Sequence, residues 1–151
     1  MIGKIILASK SGVRKKILEQ NNIKCDVIPA NIDEDSIKKT LLIENATPEI
    51  VSKNLAELKA NKVSAKNTEA IVLGADSVVD LNGILLSKPT SREDALRILN
   101  NLNGQKHQLI SSVCIFKNGD MLWNFTSVSS LTMKKLSLDE IKSYLANIKD
   151  E

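Results

Sequence analysis

Asp76 is the residue of this sequence best placed to do chemistry, because it closes an uncharged run, Ile71-Val72-Leu73-Gly74-Ala75, that reads as a buried strand. Taking a carboxylate out of water is costly unless a counter-charge, hydrogen-bond donors or a metal meets it, so an acid at the tip of such a strand is seldom there for packing alone. A second arrangement lies near the start, where Ile5-Ile6-Leu7-Ala8 runs into Ser9-Lys10-Ser11-Gly12 and then into Arg14-Lys15-Lys16-Ile17-Leu18. A strand, a loop of small residues and a helix start form an anion-binding corner, since the first N–H groups of a helix lack internal partners and carry partial positive charge. A carboxylate together with a phosphate corner points to metal-assisted phosphate chemistry.

Strands alternating with helices must position these groups, and the apolar spacing supplies them. Lys4 to Ala8 reads as a strand, and Val13 to Gln20 as a helix with Val13, Ile17 and Leu18 on its apolar side. Asp26 to Pro29 is a short strand candidate; the acidic stretch Asp33-Glu34-Asp35 and a helix from Ser36 to Ile43 follow. Thr47-Pro48 supplies the cap and first residue of a helix reaching about Ser64, apolar at Ile50, Val51, Leu55, Leu58 and Val63 and basic at Lys53, Lys59, Lys62 and Lys66. Ile71 to Ala75 is the central strand, and Asn82-Gly83 turns Ser77 to Leu81 onto Ile84 to Leu86. Ser91 opens a helix that stops near Asn103-Gly104. His107 to Phe116 and Met121 to Met133 then read as an antiparallel pair joined at Asn118-Gly119, and Ser137-Leu138-Asp139-Glu140 is a capping box for the last helix. The pattern predicts an α/β fold with a mixed sheet flanked by helices, in a single domain over residues 1–151.

Composition narrows the function classes. The sequence has ordinary soluble proportions, 42% hydrophobic and 26% charged, and no apolar stretch near the roughly 20 residues that span a bilayer. The N-terminal apolar run is too short for a secretory segment, so the expected compartment is the cytoplasm and no membrane partner is expected. Cys25 and Cys114 stand apart without metal-binding spacing, which reads as two reduced core thiols. The net charge is +3, yet residues 1–25 hold six basic residues against Glu19 alone. That local charge suits a phosphorylated small molecule; with aromatic content of 3%, too sparse to stack bases, nucleic acid is the less expected partner. His107 is the only histidine and reads as a structural strand residue, while Trp123 with Leu122 and Phe125 reads as core or interface.

From about Lys4 to its last residue the sequence resembles the Maf-like nucleotide pyrophosphatase family. Leu7-Ala8-Ser9-Lys10-Ser11-Gly12-Val13-Arg14 is similar to the family's opening loop, with Gly12 and Val13 where a proline and an arginine are common. Asn31-Ile32-Asp33-Glu34, Leu55-Ala56-Glu57-Leu58-Lys59-Ala60 and Gly74-Ala75-Asp76-Ser77 follow in family order, then Ser87-Lys88-Pro89, Arg92-Glu93-Asp94-Ala95 and Leu102-Asn103-Gly104-Gln105-Lys106-His107. Leu122-Trp123 and Leu131-Thr132-Met133 resemble the alphaproteobacterial branch. The sequence is short for the family at its C-terminal end, where a glycine-rich segment and further sheet are usual.

The resemblance implies a Maf/ITPase-like fold and hydrolysis of nucleoside triphosphates to a monophosphate and diphosphate with a divalent cation, Mg²⁺ or Mn²⁺. It implies Asp76 as catalytic base, Glu34 and Asp76 as metal ligands, and Ser9, Arg14, Lys59 and Lys88 as substrate contacts. By residue type alone Ser9 is equally a turn residue, Glu34 part of a solvated acidic loop and Lys59 a solvent-facing charge. A homodimer is a further implication. Ser77, which follows the acid, matches neither family subgroup at that position, so base preference stays open. A catalytically weak nucleotide-binding regulator linked to cell division is the alternative function.

Overall fold

The computed structural model describes residues 3–148, which fall into two compact units. The first comprises Met1–Ser77 with Ser111–Ser127, and the second Val78–Ile110 with Val128–Glu151. Within the first lie β1 (Ile5–Leu7), α1 (Gly12–Gln20), β2 (Asp26–Val27), α2 (Glu34–Ile43) and α3 (Pro48–Lys66). β3 (Ile71–Leu81), β5 (Lys106–Lys117) and β6 (Asp120–Thr132) have residues in both units, and β4 (Ile84–Leu86), α4 (Arg92–Leu102) and α5 (Leu138–Asn147) belong to the second. One six-stranded sheet runs in the order β2-β1-β3-β5-β6, with β4 on β3. β1 pairs in parallel with β2 and with β3, placing Leu7 beside Val27 and Leu73, whereas β4 is antiparallel to β3. β5 and β6 are neighbours joined by Asn118-Gly119, both at positive φ, a two-residue turn that only an antiparallel pair permits. The sheet is therefore mixed, as the alternation of elements predicts.

Polar side chains set the helix starts. Ser11, Asp33, Thr47, Ser91 and Ser137 each accept an N–H from the first turn, and Ser137 with Glu140 completes the capping box. Because Asp33 caps α2, that helix begins at Glu34 rather than Ser36, so the acidic trio is a helix start and not a loop. Acids there also complement the helix dipole.

Glycine sets the distance between α3 and β3. A Cβ at Gly74 would lie 2.3 Å from the Ala56 carbonyl oxygen and 2.7 Å from the Ala60 Cβ, so the helix backbone rests directly on the strand. The buried side of α3 carries Ser52, Leu55, Ala56, Lys59, Ala60 and Val63. Ala56, Ala60 and Val63 share a core with Ile6, Ala8, Val72, Cys114 and Phe116.

Four local expectations are corrected. β3 does not end at Ala75 but continues to Leu81 as one strand, with Asp76 at its middle. α1 buries no residue, and Val13 and Ile17 are exposed. Cys114 is a core thiol, whereas Cys25 is only half-buried just before the two-residue β2. Trp123 and Phe125 stack at 6.2 Å on β6, the last strand of the sheet order, and are exposed, which corrects the core half of the core-or-interface reading. In the second unit, Arg92 donates to the carbonyls of Leu145 and, at 2.7 Å, of Ile148, holding the end of α5 to the start of α4.

Candidate active site

The parallel pairing of β1 with β3 stops at Leu7 and Leu73, and the chain of β1 then turns away through Ser9 to Ser11 into α1. Asp76 therefore comes just past the point where β3 loses its parallel neighbour. In that sense the acid does sit at a strand end, that of β1, in the position where open parallel sheets place ligands.

Asp76 is only 5% exposed, and Lys59 meets it there. The Lys59 ammonium, itself 7% exposed, donates to Asp76 Oδ1 at 3.0 Å and to Glu34 Oε1 at 2.7 Å. It also reaches the Ala75 carbonyl at 3.5 Å. Lys59 is buried because it shares a helix face with Ala56, Ala60 and Val63, and Gly74 brings that face onto the strand. Its default as a solvent-facing charge is thus corrected by the structure. Asp76 Oδ2 is buried and receives no hydrogen bond from any described group. Burial raises the Asp76 carboxyl above the ordinary aspartate value, the charge and hydrogen bond of Lys59 pull it back, and the nearby Glu34 pushes it up again.

Arg14 forms a second cluster from the loop side. Its Nη1 donates to Ser9 Oγ at 2.9 Å and its Nη2 to Ser77 Oγ at 3.4 Å, and Ser77 Oγ is 2.8 Å from Ser111 Oγ. Burial lowers the Arg14 value, opposed by the negative charges of Asp76 and Glu34. Behind the acid, three hydroxyls line up, two of them buried and the third half-buried. Ser52 Oγ on α3 donates to the Asp76 carbonyl at 3.3 Å and lies 2.8 Å from Ser112 Oγ on β5, and Ser112 Oγ is 2.9 Å from Thr126 Oγ1 on β6.

The structure thus brings Ser9, Arg14, Glu34, Lys59 and Asp76 of the predicted set into one unit, linked by direct contacts and by the field that Arg14 feels from both acids. Lys88 is an exposed residue of the second unit, between β4 and α4. Ser111 was not singled out by the sequence. It is a serine inside a long strand pattern, and only the pairing of β5 with β3 puts it beside Ser77. Among the described residues no group of three or more histidine, cysteine or acidic side chains is arranged to hold a metal. Glu34 and Asp76 share one ammonium, so the two oxygens it touches are no farther apart than those two bonds laid end to end. Two carboxylates, one with an oxygen lacking any donor, fit an ion such as Mg²⁺ that completes its shell with waters and substrate phosphates rather than with a protein cage.

The chain belongs to the Maf-like protein family, whose model matches residues 4–150. It is 62% identical over its whole length to a nucleoside triphosphate pyrophosphatase of Pelagibacter ubique (strain HTCC1062), covering 77% of that protein. It is also 37% identical, over 99% of the chain and 75% of the relative, to a 7-methyl-GTP pyrophosphatase of Brucella abortus biovar 1 (strain 9-941). Among solved structures, a HAM1 protein from Coxiella burnetii aligns with 86% of the chain and 71% of its own at a TM-score of 0.56 and 14% identity, which bears out the predicted fold class. Among the described residues no helix is long and apolar enough to cross a membrane.

Proposed function

We infer that this protein is a nucleoside triphosphate pyrophosphatase, a hydrolase of acid anhydrides that adds one water across the link between the α and β phosphates and releases a monophosphate and diphosphate. Asp76 Oδ2, a buried carboxylate oxygen without a donor, is the observation that carries the site. Its partner oxygen is fixed by Lys59, so the carboxylate is held in one orientation with Oδ2 as the face left for chemistry. A carboxyl pushed above its ordinary value is also a stronger base than a solvated aspartate, which suits removal of a proton from the attacking water.

The other residues divide the charge of the substrate. Ser9, in the loop before α1, and Arg14, in the first turn of that helix, hold phosphate oxygens together with the helix N–H groups. Lys59 keeps Asp76 and Glu34 from repelling each other and supplies positive charge on the phosphate side. Glu34 and Asp76 would hold the divalent cation, Mg²⁺ or Mn²⁺, which when bound offsets charge on the phosphates and the departing diphosphate. The reaction belongs to the cytoplasm, where nucleoside triphosphates are made.

Purified protein incubated with a panel of nucleoside triphosphates and Mg²⁺ or Mn²⁺ should release diphosphate, lose that release in excess chelator, and slow by about a hundredfold or more in Asp76→Asn. Tight triphosphate binding without turnover would instead identify the weakly catalytic regulator, and undiminished turnover in Asp76→Asn would remove Asp76 from the chemistry.

A further inference from the structure

The protons around Arg14 can be counted, and some are left over. Ser9 Oγ accepts the Ser11 N–H at 3.2 Å and Arg14 Nη1 at 2.9 Å. Both lone pairs of that hydroxyl are then occupied, so its own proton can only be given away. No described group takes it. Ser77 Oγ accepts Arg14 Nη2 and shares one hydrogen bond with Ser111 Oγ. Whichever hydroxyl donates in that bond, one proton of the pair remains without an acceptor. If Ser77 donates, the spare proton is on Ser111; if Ser111 donates, both lone pairs of Ser77 are filled and the spare proton is on Ser77. The guanidinium between these serines carries more N–H groups than its two bonds use. Ser77 is exposed and Ser111 half-buried, so the pair is open to a ligand.

Spare hydroxyl protons gathered around a guanidinium fit an anionic oxygen, which takes up donors and is drawn by the positive charge. We propose that the Ser77–Ser111 pair is a phosphate-oxygen donor, in which Ser111 on β5 either gives the proton itself or turns that of Ser77 toward the substrate held by Arg14. This rests on the triphosphate being the substrate, and it adds β5 to the elements that grip it. The pair behaves as one donor with two carriers, which a purely structural contact would not do.

That property gives the test. Inorganic diphosphate binding to the full chain is measured by calorimetry for wild type, Ser77→Ala, Ser111→Ala and the double variant, alongside KM and kcat for the preferred triphosphate. Each single variant keeps one spare proton and should weaken binding by about threefold or less, while the double variant loses it and should weaken binding by roughly tenfold to a hundredfold, more than the product of the singles. The loss should appear in KM with little change in kcat. Ser77→Ala combined with Ser111→Thr retains a hydroxyl and should bind like Ser77→Ala alone, which guards against a general folding defect. A double variant that binds diphosphate within about twofold of wild type, or losses that simply multiply, would overturn the proposal. If wild type binds diphosphate yet hydrolyses no triphosphate, the function above fails while the binding series still decides the serine pair; absence of diphosphate binding in wild type rejects both.

Discussion

Replacing Lys59 by methionine isolates the electrostatic core of the site. The substitution keeps the length of the side chain and removes the one ammonium that bonds Asp76 at 3.0 Å and Glu34 at 2.7 Å. Glu34 is about one-third exposed and can turn to water, but the Asp76 side chain is 6% exposed and cannot. Breaking a buried pair by deleting one partner costs about 3–5 kcal/mol, and for a chain of this length each kcal/mol lowers Tm by about 2–4 °C. A fall of about 10 °C is therefore expected at about pH 8 in metal-free buffer. The cost has a relief route, because Asp76 can take up a proton. Its folded value already lies above the ordinary one, so the stability it contributes is present at low pH and is lost as pH rises through the folded value. Without Lys59 to pull it down, that value climbs further and the loss extends to higher pH. The Tm deficit of Lys59→Met should thus grow from about pH 5 to about pH 8, and Asp76→Asn in the same chain should recover most of it. Thermal unfolding by circular dichroism measures both. An equal deficit at the two pH values, or no recovery in the double variant, would refute the account of a buried charge held by one lysine.

Two further outcomes follow from packing. Gly74→Ala places a methyl group 2.3 Å from the Ala56 carbonyl oxygen, so α3 must move off β3; a loss of about 3 kcal/mol in thermal unfolding, with reduced turnover as Lys59 is carried away, is expected, and wild-type Tm would show that the contact is looser than described. Burial pushes the Cys114 thiol up to about 11, whereas Cys25 is half-buried, so a thiol reagent at about pH 8 should label one site quickly in the folded protein. Cys25→Ser should abolish that fast labelling and leave Cys114 to react only on unfolding; rapid labelling of Cys25→Ser would contradict its burial.

The order of elements was readable because caps and turns are local chemistry. Thr47-Pro48, Ser137 with Glu140, Asn82-Gly83 and Asn118-Gly119 all act where their residue types place them. Asp76 was readable as an anomaly, an acid after five uncharged residues, but its mid-strand position was not, since β3 runs on through it to pair with β4 over Val79 to Leu81. Lys59 shows the limit most clearly. Four lysines stripe α3, and the one that turns inward is the one in register with Ala56, Ala60 and Val63 beneath Gly74, a contact between distant segments. The same holds in reverse for Val13 and Ile17, whose apolar spacing suggests a buried face that no neighbour covers. Trp123 and Phe125, read as core or interface, are exposed: hydrophobicity says what a side chain prefers, while strand order decides what it meets.

The hydroxyl line of Ser52, Ser112 and Thr126 has a consequence for how the sheet finds its alignment. Slipping β6 by one position along β5 would turn Thr126 to the opposite face and leave the buried Ser112 hydroxyl with Ser52 as its one remaining partner. The three oxygens therefore act as index marks for the alignment of helix and strands, and the peptide bearing Asp76 is fastened to the Ser52 end of the row.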